Sequence, residues 1–410
     1  MRRVVVTGIG AVTPVGHGRD GLWAGVLANR SAVRAVDRFD ASPFPSRVAA
    51  QIDDFVAADH LDRRRARRLD RFSQLSVAAA RMAAEDAHLP MPNGRADRVG
   101  IWIGSALGGV AFGEEQHAAY VARGTRGVSP TLATTVFGGA GASNVAIDLG
   151  VRGPALGNSN SCASGAVAIG QAMHAIRAGM VDVALAGGAE APLAPLTFGA
   201  FAMIHVLSAR NDDPTSASRP FDVDRDGFVM GEAAAVLVLE ERKAAERRGA
   251  PIYAEVAGFG ASTDAYHLTA PLPSGAAAAQ AITSALTDAG LERTAIGYVN
   301  AHGSSTQLNE LAEAKALHVA LGAHASTVPV SGTKGLYGHP LGASGAFEAA
   351  ITALALCHGL LPGTCNLVQR DPRIDLNVLM EPMDAAPSAA LSTSFGFGGM
   401  NAALVLRREP

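Results

Sequence analysis

A cysteine, Cys162, stands in a run of small residues at the point where an extended segment is predicted to meet a helix. The run reads Asn-Ser-Asn-Ser-Cys-Ala-Ser-Gly over residues 158–165, and an alanine-rich helical stretch follows at 166–178. Unpaired N–H groups and the dipole at a helix N-terminus favour an anion, so a thiolate here has a lowered pKa and is a better nucleophile. A free cysteine can equally be a small buried hydrophobic residue, and this stretch alone leaves both interpretations open.

Two histidines lie in glycine-rich turns that follow predicted strands. His302 is in a loop of small hydroxyl residues, and His339 shares its turn with Lys334. A third glycine-rich loop, 395–401, can bring backbone N–H groups close to a ligand. A lone histidine is usually structural, but the residues of an α/β active site gather at the ends of strands. Two histidines and Cys162 in three such turns therefore predict one nucleophilic site.

The elements that must position these turns alternate between strand and helix along the chain. From residue 252 the alternation begins again, as an architectural duplication without detectable sequence repeats. Alternation of this kind favours a layered α/β architecture with mainly parallel sheets. We therefore expect two halves, residues 1–250 carrying Cys162 and residues 251–410 carrying both histidines.

The composition is that of a globular protein with a large core. Of the 410 residues, 48% are hydrophobic, 17% are charged and 46 are glycine. A net charge of -3 and a pI near 6.5 give no reason to expect a nucleic-acid partner. The cysteines, Cys162, Cys357 and Cys365, form neither a disulfide framework nor a CxxC pattern, so no metal site is expected.

The N-terminal segment resembles a signal peptide only briefly, because Gly8, Gly10 and Pro14 interrupt its apolar run. We predict a buried core strand there instead. The two glycines lack the third glycine and the acidic residue of a dinucleotide fingerprint, so they do not predict a nucleotide cofactor. Since no run reaches the roughly 20 apolar residues of a membrane span, we expect a cytoplasmic protein with no membrane contact.

A strongly basic run contrasts with the net negative charge of the chain. The run contains five arginines: Arg63, Arg64, Arg65, Arg67 and Arg68. A solvated helix face is the ordinary explanation for such a run. A local concentration of positive charge can also steer an acidic protein partner, although one helix cannot present all five side chains on the same face.

Four motifs, taken in order, are similar to those of the β-ketoacyl-acyl-carrier-protein synthases of the I/II class. They are Cys162-Ala-Ser-Gly, His302-Gly-Ser-Ser-Thr306, Lys334-Gly-Leu-Tyr-Gly-His339 and Gly396-Phe-Gly-Gly-Met-Asn401. The resemblance extends over nearly the whole chain. It implies the thiolase fold, an α/β fold with duplicated βαβαβαββ halves in a five-layered α-β-α-β-α arrangement, and assembly as a dimer.

The resemblance also implies a decarboxylating condensation. Cys162 would take an acyl chain from the phosphopantetheine of an acyl carrier protein, and malonyl carrier protein would then lose CO2 to give an enolate. His302 and His339 would donate N–H groups to the enolate oxygen; which of them acts as a base stays open. The backbone N–H groups of Cys162 and Phe397 would form an oxyanion hole. No cofactor of the chain's own is implied, because phosphopantetheine arrives on the carrier protein.

Further roles follow from the same resemblance. Lys334 is expected to pair with Glu313 and so to fix the turn that carries His339. The expected substrate-binding residues are Thr269, Ser304, Thr306, Gly113, Phe395, Gly398 and Gly399. Gly113 would replace a bulkier residue of the acyl pocket and deepen it, unless glycine is needed there only for backbone geometry. The arginine run is the expected docking site for the acidic carrier protein.

Related classes fit less well. Thiolases need a second catalytic cysteine in a C-terminal Cys-x-Gly segment. Cys357, in Leu-Cys-His-Gly, and Cys365, in Thr-Cys-Asn, both lie outside the glycine-rich loops. Class III synthases use Cys-His-Asn, whereas His339 occupies the third position here. Chain-length factors, which are non-catalytic, typically have glutamine where Cys162 stands. The chain is therefore expected to be a catalytic subunit, in a homodimer or in a heterodimer with a chain-length factor.

Local departures from the motifs bear on the pathway. Gly335-Leu-Tyr337 replaces the Ser-Met-x of fatty-acid enzymes, and Asn309 matches polyketide ketosynthases although Glu310 replaces their usual Asp. These departures favour type II polyketide biosynthesis over fatty-acid elongation. A non-condensing decarboxylase or scaffold subunit is the alternative from a different class.

Overall fold

The computed structural model describes residues 2–91 and 94–409. Its strands are β1 (Val4–Thr13), β2 (Gly16–His17), β3 (Val33–Ala35), β4 (Val48–Ala50), β5 (Val99–Gly104), β6 (Ala155–Asn158), β7 (Val183–Glu190), β8 (Met230–Gly231), β9 (Ala233–Glu241), β10 (Ala254–Thr263), β11 (Tyr298–Asn300), β12 (Pro329–Ser331), β13 (Leu360–Leu361), β14 (Asn377–Val378), β15 (Met383–Asp384), β16 (Ala389–Gly396) and β17 (Met400–Arg407). Its α-helices are α1 (Gly18–Leu27), α2 (Arg63–Ala66), α3 (Arg71–Asp86), α4 (Val110–Arg123), α5 (Leu132–Thr135), α6 (Ala140–Leu149), α7 (Ser164–Arg177), α8 (Pro195–Met203), α9 (Arg242–Arg247), α10 (Ala276–Ala289), α11 (Asn309–Leu321), α12 (Lys334–Tyr337) and α13 (Ser344–His358).

The large sheet is nearly symmetrical about the junction of β1 and β10. Its strand order is β14-β12-β11-β16-β17-β10-β1-β9-β7-β5-β6, with β2 beside β1. On one side β1, β9 and β7 are antiparallel and β5 and β6 continue in parallel. On the other side β10, β17 and β16 are antiparallel, and β11 and β12 continue in parallel. The topology is therefore duplicated, while the division of the chain at residue 250 stays a prediction.

Two central helices, α7 and α13, lie between the halves of the sheet. α7 packs on β7 and β5, α13 packs on β16 and β9, and the two helices pack against each other. α3 and α6 cover the outer face of the first half, and α10 with α11 covers that of the second. The five-layered α-β-α-β-α arrangement expected from the sequence is confirmed. So is the buried N-terminal strand, because every residue of β1 is buried.

Two glycines allow the central helices to approach closely at their first turns. A Cβ at Gly165 would lie 2.6 Å from Ala346 N, and a Cβ at Gly345 would lie 2.7 Å from Ala166 N. These distances are far inside van der Waals contact, so a side chain at either position would force the helices apart. The turns that carry the cysteine and one histidine come directly before these two helix starts. The close packing therefore brings the two turns together.

One apolar segment, Leu341–His358, is long enough to span a membrane and has a mean hydropathy of 1.3. It is 89% buried inside the protein, because it includes the central helix α13. A helix that is surrounded by other layers needs no polar face. Its composition therefore reflects its place in the middle of the fold.

Candidate active site

Cys162 lies in a short 3₁₀ turn, Ser161–Ala163, between the edge strand β6 and the central helix α7. The helix begins at Ser164, two residues before the start predicted from the sequence. Ser161 has a positive φ of 51°, which is a strained conformation for a serine. The Ser164 hydroxyl donates to the Ser161 carbonyl at 2.7 Å and holds the turn. The result is a buried cysteine whose side chain lines the bottom of a cavity.

The His339 imidazole contacts the cysteine directly. Its Nε2 atom lies 3.1 Å from Cys162 Sγ, and its Nδ1 atom lies 2.9 Å from the Ser344 hydroxyl at the start of α13. The Phe228 ring packs edge-on against it, with the ring centroids 5.2 Å apart. A hydroxyl can both donate and accept, so Ser344 supports either tautomer of His339. The ring can therefore accept the thiol proton at Nε2 or donate a proton from it.

The His302 imidazole is nearly perpendicular to that of His339, with the ring centroids 5.3 Å apart. Lys334 Nζ lies 2.5 Å from the His302 carbonyl oxygen and 3.4 Å from His302 Nδ1. An ammonium group only donates hydrogen bonds. Lys334 therefore donates to Nδ1, and the imidazole proton stays on Nε2. In this tautomer His302 is a donor toward the cavity.

Three potential metal-ligand atoms, one each from Cys162, His302 and His339, lie within 4.8 Å of one another. Sulfur and imidazole nitrogens form a donor set that zinc accepts. The Lys334 ammonium opposes a cation at this place, and it favours the His302 tautomer whose Nε2 carries a proton instead of a free lone pair. The absence of a resident metal stays a prediction of the sequence.

Burial governs the charge of the site. Desolvation, followed by the Lys334 charge, holds the pKa values of His302 and His339 well below 6.5, so both imidazoles are neutral at pH 7. Desolvation also raises the pKa of the Cys162 thiol to about 11, against smaller opposing effects from Ser161, Lys334 and the Phe397 N–H. The expected lowering of the thiol pKa is therefore wrong, because the loss of hydration outweighs the effect of the helix N-terminus.

The predicted ion pair between Lys334 and Glu313 is also wrong. Lys334 pairs with Glu348 of α13, and both side chains are fully buried. Glu313 instead accepts hydrogen bonds from the His302 and Gly303 N–H groups at 2.8 and 2.9 Å. The reason is that α11 places Glu313 under these N–H groups, whereas the central helix places Glu348 at the ammonium. Glu313 therefore fixes the backbone of the His302 loop, and Lys334 contacts the His302 ring.

The glycine-rich loop after β16 supplies a backbone N–H to the site. The Phe397 N–H lies near the Cys162 sulfur and favours its charged form, which acts to lower the pKa of the thiol. A Cβ at Gly396 would lie 3.0 Å from Cys162 N, so this close approach of the two backbones needs glycine. The arrangement brings the Phe397 N–H to the sulfur and the Cys162 N–H close to the same loop.

A cavity of 490 Å³ that opens to the surface is lined by all three reactive side chains. Five of the predicted substrate-binding residues also line it: Thr269, Ser304, Thr306, Phe395 and Gly399. The part that clusters with Cys162 is apolar and is formed by Ala106, Leu107, Phe201 and Leu341. A volume of this order falls in the range of about 300–1,000 Å³ that is usual for small-molecule sites.

Two predicted substrate-binding residues, Gly113 and Gly398, are not in the lining of this cavity. Gly113 lies inside α4, where a Cβ would meet only Val136 Cγ1 at 3.7 Å. Leu107, before that helix begins, lines this cavity, and the role of Gly113 in a deeper part of the acyl pocket stays a prediction. Gly398 has a φ of 81°, and its N–H donates to the Leu268 carbonyl at 2.7 Å. It therefore shapes the loop beside the cavity, and its role in substrate binding stays a prediction.

The arginine run does not form one surface. Four of its side chains are exposed, namely Arg63, Arg64, Arg67 and Arg68. Arg65 is partly buried; it pairs with Asp148 and donates to the Asn144 carbonyl. Its charge is already paired inside the protein, so the four exposed arginines are the better candidates for docking, and the role of Arg65 stays a prediction.

Sequence reasoning missed several residues that support the site. Glu348 is an acid within the apolar helix α13, and Glu190 ends the apolar strand β7. A charged residue in a buried apolar element needs partners. An acidic residue inside an otherwise apolar segment is therefore the sequence signal by which Glu348 and Glu190 can be found. Phe228 packs against His339, and Ser344 hydrogen-bonds to it. No local pattern marks these two residues.

Comparison with known proteins agrees with this geometry. Residues 1–245 match the family model for the β-ketoacyl synthase N-terminal domain, and residues 253–368 match the model for the β-ketoacyl synthase C-terminal domain. The chain belongs to the β-ketoacyl synthase family. A 3-oxoacyl-[acyl-carrier-protein] synthase 2 from Synechocystis is 42% identical over 99% of this chain and 98% of its own length. The protein of the same name from Staphylococcus aureus strain N315 is 40% identical, with the same coverage.

Solved ketosynthase structures share the fold over their full length. The ishigamide ketosynthase/chain length factor has a TM-score of 0.92 at 33% identity and covers 100% of both chains. The structure of a type II polyketide acyl-carrier protein in complex with its ketosynthase has a TM-score of 0.91 at 32% identity, again over 100% of both chains. A β-ketoacyl synthase from Burkholderia phymatum has a TM-score of 0.91 at 37% identity, with the same coverage. The predicted thiolase fold is confirmed, and this β-ketoacyl synthase is an acyl-transferring condensing enzyme.

The neutral state of the site predicts how Cys162 reacts with iodoacetamide. Because burial raises the pKa of the thiol to about 11, the alkylation rate should keep rising from about pH 7 to about pH 10 instead of levelling off near neutrality. Intact-protein mass spectrometry follows the reaction, and Cys162→Ala gives the background from the exposed Cys357. A rate that is already maximal near pH 7 would mean a resting thiolate and would contradict the effect of burial.

Proposed function

We propose that Cys162 takes an acyl chain from an acyl carrier protein and that the enzyme extends this chain with two carbons from malonyl carrier protein. The observation that carries the proposal is the 3.1 Å contact between Cys162 Sγ and His339 Nε2, in a cavity that His302 also lines. The phosphopantetheine arm arrives on the carrier protein, so the enzyme needs no resident cofactor.

Loading of the acyl chain begins with the thiol. His339 Nε2 accepts the Cys162 proton as the sulfur attacks the thioester carbonyl, and the same proton then passes to the departing pantetheine thiol. The developing oxyanion accepts hydrogen bonds from the Cys162 and Phe397 N–H groups. The products are an acyl-enzyme thioester and a free carrier-protein thiol. No net charge is left in the buried site, where an unpaired charge is costly.

Condensation needs two N–H donors at one oxygen. Loss of CO2 from the malonyl group leaves an enolate, whose oxygen carries the negative charge. His302 donates to this oxygen from Nε2, because Lys334 occupies its Nδ1 atom. His339 donates as well, in the tautomer that Ser344 also permits. The enolate carbon then attacks the acyl carbonyl and the C–S bond to the enzyme breaks. The released thiolate takes up one proton from solvent, by way of His339, which restores the neutral thiol.

Thr269, Ser304 and Thr306 are proposed to bind the pantetheine arm. All three line the cavity, and the Ser304 and Thr306 hydroxyls lie 3.0 Å from each other. Hydroxyl groups offer both donors and acceptors, as an arm with amide groups requires. Phe395 and Gly399 line the same cavity from the glycine-rich loop.

Cys162→Ala separates loading from decarboxylation. This variant should lose acyl loading and condensation because the nucleophile is gone, but it should still release CO2 from malonyl carrier protein. Adding His302→Ala should reduce that release by about 10²–10³-fold, the usual effect of losing one oxyanion donor. CO2 release and the intact mass of the enzyme are measured in parallel. Condensation by Cys162→Ala at a normal rate would disprove the assignment, and wild-type CO2 release without an acyl-enzyme would instead support a non-condensing decarboxylase.

A second subunit is proposed at the free edge of the large sheet. Strand β6 pairs with β5 on one side and, among the described strands, has no neighbour on the other. Leu156 on β6 and Ile147 on the adjacent α6 are 50% and 71% exposed. An unpaired strand edge beside exposed apolar side chains is suited to pairing with another chain. We propose a homodimer, with a chain-length factor as the alternative partner, as in the ishigamide ketosynthase/chain length factor.

Type II polyketide biosynthesis is the pathway that we propose, with the cytoplasm as its location. Gly335-Leu-Tyr337 and Asn309 support it, as does the type II polyketide ketosynthase complex at 32% identity. Fatty-acid elongation is the second candidate, because the relatives at 40% and 42% identity are named 3-oxoacyl-[acyl-carrier-protein] synthase 2. Co-expression with candidate carrier proteins separates the two pathways by whether the products keep unreduced keto groups.

The exposed arginines Arg63, Arg64, Arg67 and Arg68 are proposed to dock the acidic carrier protein. Arg64→Glu/Arg68→Glu should raise the KM for the carrier protein roughly tenfold, because charges at an interface rim act mainly on association. The KM for a short pantetheine thioester should change little, and the wild-type carrier KM should rise with salt. Arg247→Glu, at an exposed position on α9, is the matched control. Equal effects on both substrates would rule out a docking role for the run.

A further inference from the structure

Glu190 ends strand β7, and its side chain is fully buried. Its carboxylate accepts four hydrogen bonds from two separate loops. Oε1 accepts from the Ser105 hydroxyl at 2.9 Å and from the Leu107 N–H at 3.2 Å. Oε2 accepts from the Ala106 N–H at 2.7 Å and from the Gly342 N–H at 2.9 Å. Both oxygens are therefore in use, and the two loops are tied to one group.

The two loops form the apolar wall of the cavity. Ala106 and Leu107 line it from the loop before α4, and Leu341 lines it from the turn before α13. A Cβ at Gly342 would lie 2.3 Å from Ala106 N, so the backbones of the two loops are in direct contact. Leu341 has a φ of 35°, a strained conformation that the surrounding structure must support. The hydrogen bond from the next residue to the carboxylate supplies such support.

The carboxylate occupies a demanding environment. Burial raises the pKa of Glu190 to about 7, and the main opposing effects are hydrogen bonds from the Ala106, Gly342 and Leu107 N–H groups and the Ser105 hydroxyl. Donors of this kind offset only part of the cost of burying an acid. Glu190 is therefore a buried acid whose burial costs free energy, and it lies where the cavity wall meets the turn that carries His339, the proposed base.

We propose that Glu190 is a positioning residue that fixes the apolar wall of the cavity and thereby selects which acyl chains load onto Cys162. The inference rests on the proposed function, since it takes the acyl chain of the enzyme to lie against Leu107 and Leu341. His339 is three residues before Gly342 in the chain. The same carboxylate therefore keeps the wall in register with the base that activates the thiol.

Glu190→Gln tests the inference with little change in volume. The substitution replaces one acceptor oxygen with an NH2 group, which cannot accept a hydrogen bond from the N–H donors that face it. One of the two loops should therefore lose its hydrogen bonds to residue 190, and the cavity wall should become more mobile. Discrimination between short and long acyl chains should then shrink about tenfold, the value of one methylene in a hydrophobic pocket. Single-turnover acylation of Cys162 by a series of acyl-pantetheine thioesters, read by intact mass, gives the selectivity without a carrier protein.

A milder variant and a control complete the experiment. Ser105→Ala removes one of the four donors and should weaken the discrimination between chain lengths by roughly threefold, the value of one hydrogen bond. If Glu190→Gln does not fold, this variant tests the inference alone. Glu240→Gln alters another buried acid, which bonds to Thr7 and Arg248 away from the cavity, and should lower Tm without changing selectivity.

Two outcomes separate this inference from the proposed function. Normal loading with unchanged selectivity, or an equal loss for every chain length in both Glu190→Gln and Ser105→Ala, overturns the role of Glu190 alone. Failure of the wild-type enzyme to form any acyl-enzyme at Cys162 overturns the proposed function. A weaker discrimination between short and long acyl chains in both variants, with unchanged discrimination in Glu240→Gln, supports the inference.

Discussion

The contact between Cys162 Sγ and His339 Nε2, at 3.1 Å, is buried in the middle of the protein. In such a place a charge without a partner is costly, so the thiol and both imidazoles rest in their neutral forms. Charge can then develop during a reaction only where donors already point at the reacting atoms. The positions of the other polar groups follow from this constraint. Lys334 is buried with Glu348 as its counter-ion, and it orients the His302 ring without adding an unpaired charge.

The duplicated fold meets this constraint through its central layer. Each half of the sheet delivers one central helix, α7 or α13, and Gly165 and Gly345 let these helices start side by side. The turn before α7 carries the nucleophile, and the turn before α13 carries one histidine. Strand β11 delivers the second histidine from the same half as α13. The turns that meet in this way pack backbone against backbone, which explains the glycine-rich sequence signature of the site.

Much of the site could be predicted from the sequence, because its turns are local patterns of small residues at the ends of strands. The layered α/β fold follows from alternation in the same way. What could not be predicted depends on distances between elements that are far apart in the chain. The choice of Lys334 between Glu313 and Glu348 depends on how α11 and α13 are placed. The thiol pKa depends on exclusion of water, which no local pattern records.

The neutral thiol–imidazole site is tested most directly by ¹⁵N NMR of the histidine-labelled enzyme near neutral pH. His302→Asn and His339→Asn assign the two signals by their disappearance. Neutral imidazoles are expected at both positions, with the His302 proton on Nε2, because burial and Lys334 lower both pKa values. An imidazolium signal from His339 in the resting enzyme, lost in Cys162→Ala, would instead show a thiolate–imidazolium ion pair and would contradict the neutral site.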